Sequence, residues 1–305
     1  MEHGGRVGIF SPGVWRLRDR VAALTALTPV RRRLSPFGLA AVAGWGHKQT
    51  ARRARLVARL SRRPYLAIED GFFRSVTPGE GSPSLSHVCD GEGIYYDARG
   101  PSAFERLVHA RAGDPARAMV DAAIVFAAIR EQRLSKYNLF RRCLRTLARL
   151  DTAAGDVVLV VDQTIGDAAV AGARAGAETF QAMLRAAAEE NPAATLVLKT
   201  HPETHLGRRP GYFTTDMVDA VGLDTPALAE AARAGRLIRL IEPVAPMDVL
   251  ERVRRVYAVS SLLGLEALVA GREVVCFGQA FYAGWGLTDD RSPAIGRRSP
   301  VTLPT

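Results

Sequence analysis

SSLLGLEALVAGREVVCFGQAFYAGWGLTDDR, residues 260–291, decides the reading of this chain. An apolar run, RRVYAVSS (254–261), ends in two serines and passes directly into the helical SLLGLEALVAG (261–271). Strand, serine and helix in succession make an anion cradle. The first amides of a helix lack intrahelical acceptors, and the helix dipole adds positive partial charge there. Glu266 stands about one and a half turns in, placed to meet a ribose, and Gly264 removes a side chain where a ligand would approach. The competing reading is that Ser260 or Ser261 only caps the helix. The continuation favours the cradle: a second strand, EVVCFG (273–278), then the polar-aromatic loop QAFYAGWGLTDDR (279–291).

Outward from this stretch, strand-like runs alternate with helical ones, which predicts an α/β protein with parallel sheets. In the second half strands are read at 157–162, 195–200, 237–241, 256–260 and 273–277, with a long helix at 173–191 and a short one at 246–253. Five strands with crossover helices suit a Rossmann-like domain that binds its ligand at the strands' carboxyl ends. The first half offers strands at 7–10, 39–44 and 65–69, a helix at 49–61, and largely helical sequence over 102–150. DTAAGD (151–156) is a polar turn, so the domains are placed at 1–152 and 153–305. Two such halves facing a cleft make a GT-B arrangement. No GxGxxG follows a strand, which argues against a dinucleotide cofactor. The two Gly-Trp-Gly triplets, at 44–46 and 284–286, are too short to establish a repeat.

Composition bounds the rest. The 305 residues are 48% hydrophobic, enough for a well-cored globular chain. Arginines 6, 16, 18 and 20 interrupt any early apolar run, and no stretch approaches the ~20 apolar residues of a membrane span. Cys89, Cys143 and Cys276 lie far apart, suggesting neither disulfides nor a zinc site. The net charge of +10 comes partly from short arginine clusters, at 31–33, 52–55, 62–63, 141–142 and 297–298. Solvated helix faces explain such clusters as readily as attraction to an anionic surface. Nucleic acid finds no recognisable motif here. A cytoplasmic protein at the periphery of the inner membrane is the expectation.

Several residues suggest chemistry. Lys199 and His201 end the run TLVLK (195–199), and Pro202 fixes the turn after them, so they stand at the sheet's ligand-binding edge and suit a phosphate leaving group. With Ser260, Ser261 and Glu266 from later strands they form a converging nucleotide site. Asp167 follows the first strand of this domain beside Gly166, facing the cleft, whereas Asp162 is read as holding a turn. Glu69 and Asp70 end PYLAIED in the opposite domain, and Arg74 lies just beyond. His47 and Lys48 close the first Gly-Trp-Gly loop and are weaker candidates for sugar or acceptor. Trp45, Trp285 and Tyr282 suit sugar stacking and buried packing equally.

At these residues the sequence resembles the KpsC/LipB-type capsule polysaccharide proteins, retaining β-Kdo glycosyltransferases. SSxxGxE with FYAGWGLTDDR carries the resemblance, joined by GWGHK (44–48), IEDGFFRS (68–75), GIYYDARGPSAFE (93–105), LSKYN (134–138), VDQTIGD (161–167) and KTHPE (199–203). It spans nearly the whole chain. Family members carry two transferase modules in tandem, and the DQTxGD form resembles the N-terminal one. The resemblance implies a GT-B fold and transfer of Kdo from CMP-β-Kdo to an anionic glycolipid acceptor, with other capsule-assembly proteins as candidate partners and neither metal nor other cofactor. It assigns Lys199, His201, Pro202, Ser260, Ser261, Gly264 and Glu266 to CMP, with Glu266 on the ribose. Asp167 is then the nucleophile and Glu69 or Asp70 the acceptor base. Arg74 suits the Kdo carboxylate, although pairing with Asp70 explains it as well. GT-B chains usually continue past such a loop with helices that cross back between domains, so the end at Thr305 reads as either a cut two-module protein or a single-module relative. A GT-B enzyme using UDP-sugars, an epimerase, and a non-catalytic nucleotide-binding module are the alternatives.

Overall fold

The alternating pattern resolves into two sheets. A computed structural model of the protein describes residues 5–32, 37–79, 82–112, 115–138, 143–242 and 244–302; Arg33, Arg141 and Arg142 of the arginine clusters lie outside the described residues. The first sheet holds β1 (Arg6–Ile9), β2 (Thr28–Arg31), β3 (Ala41–Trp45), β4 (Tyr65–Asp70) and β5 (His87–Asp90), in the order β2-β1-β3-β4-β5. Its strands are parallel except β5, which runs antiparallel to β4. The second sheet is parallel throughout: β6 (Val157–Val161), β7 (Thr195–Lys199), β8 (Leu237–Leu240), β9 (Arg255–Ala258), β10 (Glu273–Cys276) and β11 (Asp289–Asp290), in the order β11-β10-β9-β6-β7-β8.

β6 shows why the second sheet forms. All five residues of VVLVV are buried. Alternate side chains point to opposite faces: Val157, Leu159 and Val161 enter one core, Val158 and Val160 the other. Phe180, Met183, Leu184 and Ala187 of helix Ala177–Glu190 cover the second face, while helices Pro246–Leu250 and Leu262–Val269 cover the first. Strand order reverses between β6 and β9, and in open α/β sheets ligands bind in the crevice beyond such a reversal. The segments leaving these two strands are DQTIGD and SSLLG.

Several local readings change. The helix expected at 173–191 begins only at Ala177 and runs to Glu190, because Arg174 adopts a left-handed conformation (φ 56°) and separates it from a short helix, Ala168–Gly172, that precedes the expected range. β2, β5 and β11 were not legible: β2 is an edge strand containing Pro29, and the other two are short and polar. Helices Thr215–Asp224 and Pro226–Arg233 were likewise unread. The strands of the first sheet end at Asp90 and those of the second begin at Val157. Part of the helical sequence between them packs on the second sheet: Leu147 and Leu150 of helix Leu144–Asp151 sit in its core, with Phe126 and Ile129 of helix Pro115–Glu131 against it. Among the described residues no helix is long and apolar enough to cross a membrane.

The halves are joined by an aromatic cluster. Phe281, from the loop after β10, stacks on Phe72 with centroids 5.1 Å apart and meets the edges of Tyr95 and Phe104 at 5.2 and 5.4 Å. Beside it, buried Glu105 takes Arg297 Nε and Arg298 Nε, each at 2.7 Å. Burial pushes the Glu105 carboxyl up, but the two guanidiniums outweigh this and hold it below its usual range. Phe281→Ala opens a cavity at the junction, and such truncations cost about 3–5 kcal/mol. In urea unfolding followed by tryptophan fluorescence, the variant should lose stability of that order and the two halves should unfold separately. An unchanged midpoint would show that Phe281 does not hold them together.

Candidate active site

The carboxyl ends of both sheets open onto one cleft of about 440 Å³. On the second sheet, β6 leads to Asp162, whose Oδ1 accepts the amides of Gln163, Tyr212 and Phe213 at 2.8, 2.9 and 3.3 Å. It holds a turn. Burial nevertheless pushes its carboxyl up to about 6, against those three hydrogen bonds. Gln163 reaches across the reversal of strand order: its Oε1 accepts the Ser260 amide at 2.9 Å, and its Nε2 donates to Ser260 Oγ at 3.1 Å. Gly166 then turns the chain through φ 79°. Asp167 caps helix Ala168–Gly172, with Oδ1 accepting the Ala169 amide at 3.0 Å.

β7 delivers Lys199 and His201. His201 caps helix Pro202–His205, and its Nδ1 accepts the Glu203 amide at 3.2 Å. A ring nitrogen that accepts leaves the proton on the other, so Nε2 is the donor. Burial first, then the charges of Lys136 and Lys199, push its pKa down to about 3. The Lys199 ammonium is also lowered by burial, with the charge of Glu266 opposing. From β9, Ser261 caps helix Leu262–Val269 by accepting the Leu263 amide at 3.3 Å.

The first sheet contributes acids. Glu69 is only 6% exposed. Its Oε1 accepts from Lys48 Nζ at 3.3 Å and from the Asp70 amide at 3.2 Å, while its buried Oε2 has no hydrogen-bond partner among the described residues. Burial raises its pKa, with Lys48 opposing. The cleft is thus cationic and donor-rich on one side and lined on the other by an acid that favours its proton.

A family model described as capsule polysaccharide biosynthesis protein matches residues 40–303. The chain belongs to this family. It is 37% identical over 273 residues to the capsule polysaccharide modification protein LipA of Neisseria meningitidis serogroup A, covering 87% of this chain and 37% of that protein. Against the lipopolysaccharide-processing protein LpsZ of Rhizobium meliloti it is 33% identical, covering 92% and 60%. The chain therefore spans little more than a third of the meningococcal protein's length. Among solved structures it is similar to Thermosulfurimonas dismutans KpsC, β-Kdo 2,4 transferase, with TM-score 0.85, 39% identity and coverage of 99% of this chain and 88% of that one. It shares the fold of the KpsC β-Kdo 2,7 transferase at TM-score 0.62 and 23% identity. The KpsC/LipB-type resemblance and the two-domain α/β fold read from the sequence both hold.

The predicted residues do not all reach the cleft. Asp167, Glu69, Lys48, Lys199, His201, Pro202, Ser260 and Ser261 line it. Gly264 does not: a methyl there would collide with the phenol of Tyr282, so the glycine serves close packing inside the fold rather than ligand approach. That phenol donates to the Ser261 carbonyl at 2.8 Å and braces the serine turn. His47 turns away, bound through Nδ1 to Asp97 at 2.8 Å. Asp70 and Arg74 line the cleft but are paired, Arg74 Nε to Asp70 Oδ2 at 2.7 Å. Trp285 and Tyr282 are buried packing residues. Glu266 is largely buried but also lines the cleft, and its Oε1 accepts from Ser135 Oγ and the Lys136 amide, both at 2.9 Å. This contact explains LSKYN, which had no chemistry in the sequence because its partner lies 130 residues away.

The depressed pKa of His201 sets a pH dependence. An unfolded histidine protonates near pH 6.5, the folded ring near 3. As pH falls below 6.5 the unfolded state gains a proton that the folded state refuses, and stability is lost. His201→Gln removes this dependence. Relative to the variant, the parent should lose roughly 1 kcal/mol between pH 7 and 5.5, read by urea unfolding at each pH. Parallel pH profiles would refute the neutral assignment.

Proposed function

We propose that this chain is a retaining β-Kdo transferase module that moves Kdo from CMP-β-Kdo to a glycolipid acceptor. One observation carries the reading. A neutral histidine donor, a lysine and a capped helix start share the edge of one sheet, and Glu69, whose pKa burial raises, faces them from the other. The similarity to a β-Kdo 2,4 transferase over 99% of the chain supports this substrate class.

In the first step an Asp167 carboxylate oxygen bonds to the anomeric carbon, and the bond from that carbon to the phosphate oxygen breaks. The electron pair leaves with CMP, which needs no general acid because Lys199 and the His201 Nε2–H meet the phosphate. In the second step the Glu69 carboxylate takes the acceptor hydroxyl proton, the acceptor oxygen bonds to the anomeric carbon, and Asp167 is released. Two inversions give retention. A raised pKa suits Glu69 to receive that proton, whereas Asp70 is occupied by Arg74.

Asp167→Ala should abolish transfer while still binding CMP in a thermal-shift screen with UMP, UDP and GDP as comparators. Glu69→Gln should stall after the first step, so intact-protein mass spectrometry should show a Kdo adduct that peptide mapping places on Asp167. An adduct elsewhere would move the nucleophile. A stabilising response to UDP and not to CMP would favour the UDP-sugar alternative.

The same reading places the chain at an anionic membrane. Helix Arg52–Leu60 exposes Leu56 (48%) and Leu60 (74%), one turn apart, among the exposed Arg52, Arg53 and Arg59, with Arg62 and Arg63 following. Apolar side chains set among cations suit an anionic lipid surface. Cosedimentation with phosphatidylglycerol-containing vesicles should fall as salt rises and weaken in a Leu56→Ser/Leu60→Ser variant. Equal binding to neutral vesicles would remove the electrostatic argument.

A further inference from the structure

The motif LSKYN lies at the meeting of the two domains and is held from both. From the second domain, Glu266 Oε1 takes the Ser135 hydroxyl and the Lys136 amide. From the first, the amides of Arg74 and Ser75 donate to the Lys136 carbonyl at 3.0 and 3.2 Å. Asn138 completes the link: its amide N–H donates to the Ser75 carbonyl at 3.0 Å, and its side-chain carbonyl accepts the Ser135 amide at 3.0 Å. Both peptide hydrogen-bonding groups of Lys136 are thereby fixed, and its side chain lines the cleft.

The cations of the cleft then sort by partner. Lys48 is paired with Glu69 at 3.3 Å and Arg74 with Asp70 at 2.7 Å. The Lys136 ammonium lies over the Tyr137 ring at 5.5 Å and, among the described residues, has no carboxylate within ion-pair distance. Such a fixed cation, acted on by Asp167 and Asp70 from beyond ion-pair distance, is suited to a ligand's anion. Its neighbours narrow the anion. Lys136, Lys199, His201 and Arg209 line the same cleft, and the three cations act together on His201 against Asp167. Several cations around one neutral N–H donor suit the phosphate of a nucleotide, whose charge grows as CMP departs.

Building on the CMP-binding reading above, we propose that Lys136 is a phosphate-binding residue of the donor site, carried by a segment that both domains must hold for the site to be complete. Lys136 meets the nucleotide's phosphate beside Lys199 and His201. Glu266, buried against the same segment, positions it from the donor side.

Calorimetric titration of the full chain with CMP, cytidine and inorganic phosphate tests this. Lys136→Met should weaken CMP binding ten- to a hundredfold, the cost of one charge-assisted hydrogen bond, and leave cytidine affinity unchanged. Lys136→Arg should recover most of the loss. Should Lys136→Met fail to fold by circular dichroism, Lys136→Gln carries the same expectation. Undiminished CMP binding in the charge-removing variant overturns the proposal, as does an equal loss for cytidine, which would mark a merely structural role. Inorganic phosphate separates the two readings. If the parent ignores CMP but binds phosphate in a Lys136-dependent way, the anion site stands and the nucleotide reading falls. If neither anion binds, both fall.

Discussion

The structure depends on a buried contact between halves that share no sheet. Phe281 leaves the second sheet and enters a pocket of Phe72, Tyr95 and Phe104 from the first half, beside Glu105 clasped by Arg297 and Arg298. The charges are costly to bury singly but paired, and Arg298 also donates to the carbonyls of Ala280 and Ala283 at 2.5 and 2.7 Å. This ties the acid to the loop that presents Phe281. Through it the carboxyl ends of β4 and of β6, β7 and β9 face one cleft. Each sheet alone would offer only half a site.

Within that cleft most polar groups are already engaged with one another. Gln163 binds Ser260, Asp162 binds three amides, and Arg74 binds Asp70, while Asp97 holds the His47 ring away from the opening. Among the described residues, the groups left for a ligand include the Lys199 and Lys136 ammoniums, the Arg209 guanidinium, the Nε2 of His201 and the second oxygen of Asp167. Engagement of the others is what fixes these few in place, since a side chain held by hydrogen bonds need not be ordered when substrate arrives.

Glu266 shows how a residue singled out by its spacing can carry a contact that spacing does not reveal. An acid in the second turn of a helix that starts at a phosphate cradle suggests a ribose contact. The structure adds another occupant: one of its oxygens holds Ser135 and Lys136. Gly264 teaches the converse lesson. A glycine in a first turn suggests a ligand approaching the backbone, yet the space is filled by Tyr282 from within the fold.

The sequence by itself determined five of the second sheet's six strands, because fully buried parallel strands such as VVLVV and TLVLK are nearly continuous apolar runs bounded by polar turns, and burial on two faces leaves no ambiguity of phase. It also placed Asp167, Lys199, His201 and Ser261 at strand ends, since chain order there dictates position. The tertiary structure decided what depends on distant partners: the withdrawal of His47 toward Asp97 fifty residues on, and the meeting of LSKYN with Glu266. Short edge strands such as β2 and β5 fall in the same group, because a four-residue strand bearing proline or polar residues is held by its neighbour's ladder and carries little signal of its own. Local burial writes itself into the pattern of residues; pairing across the chain does not.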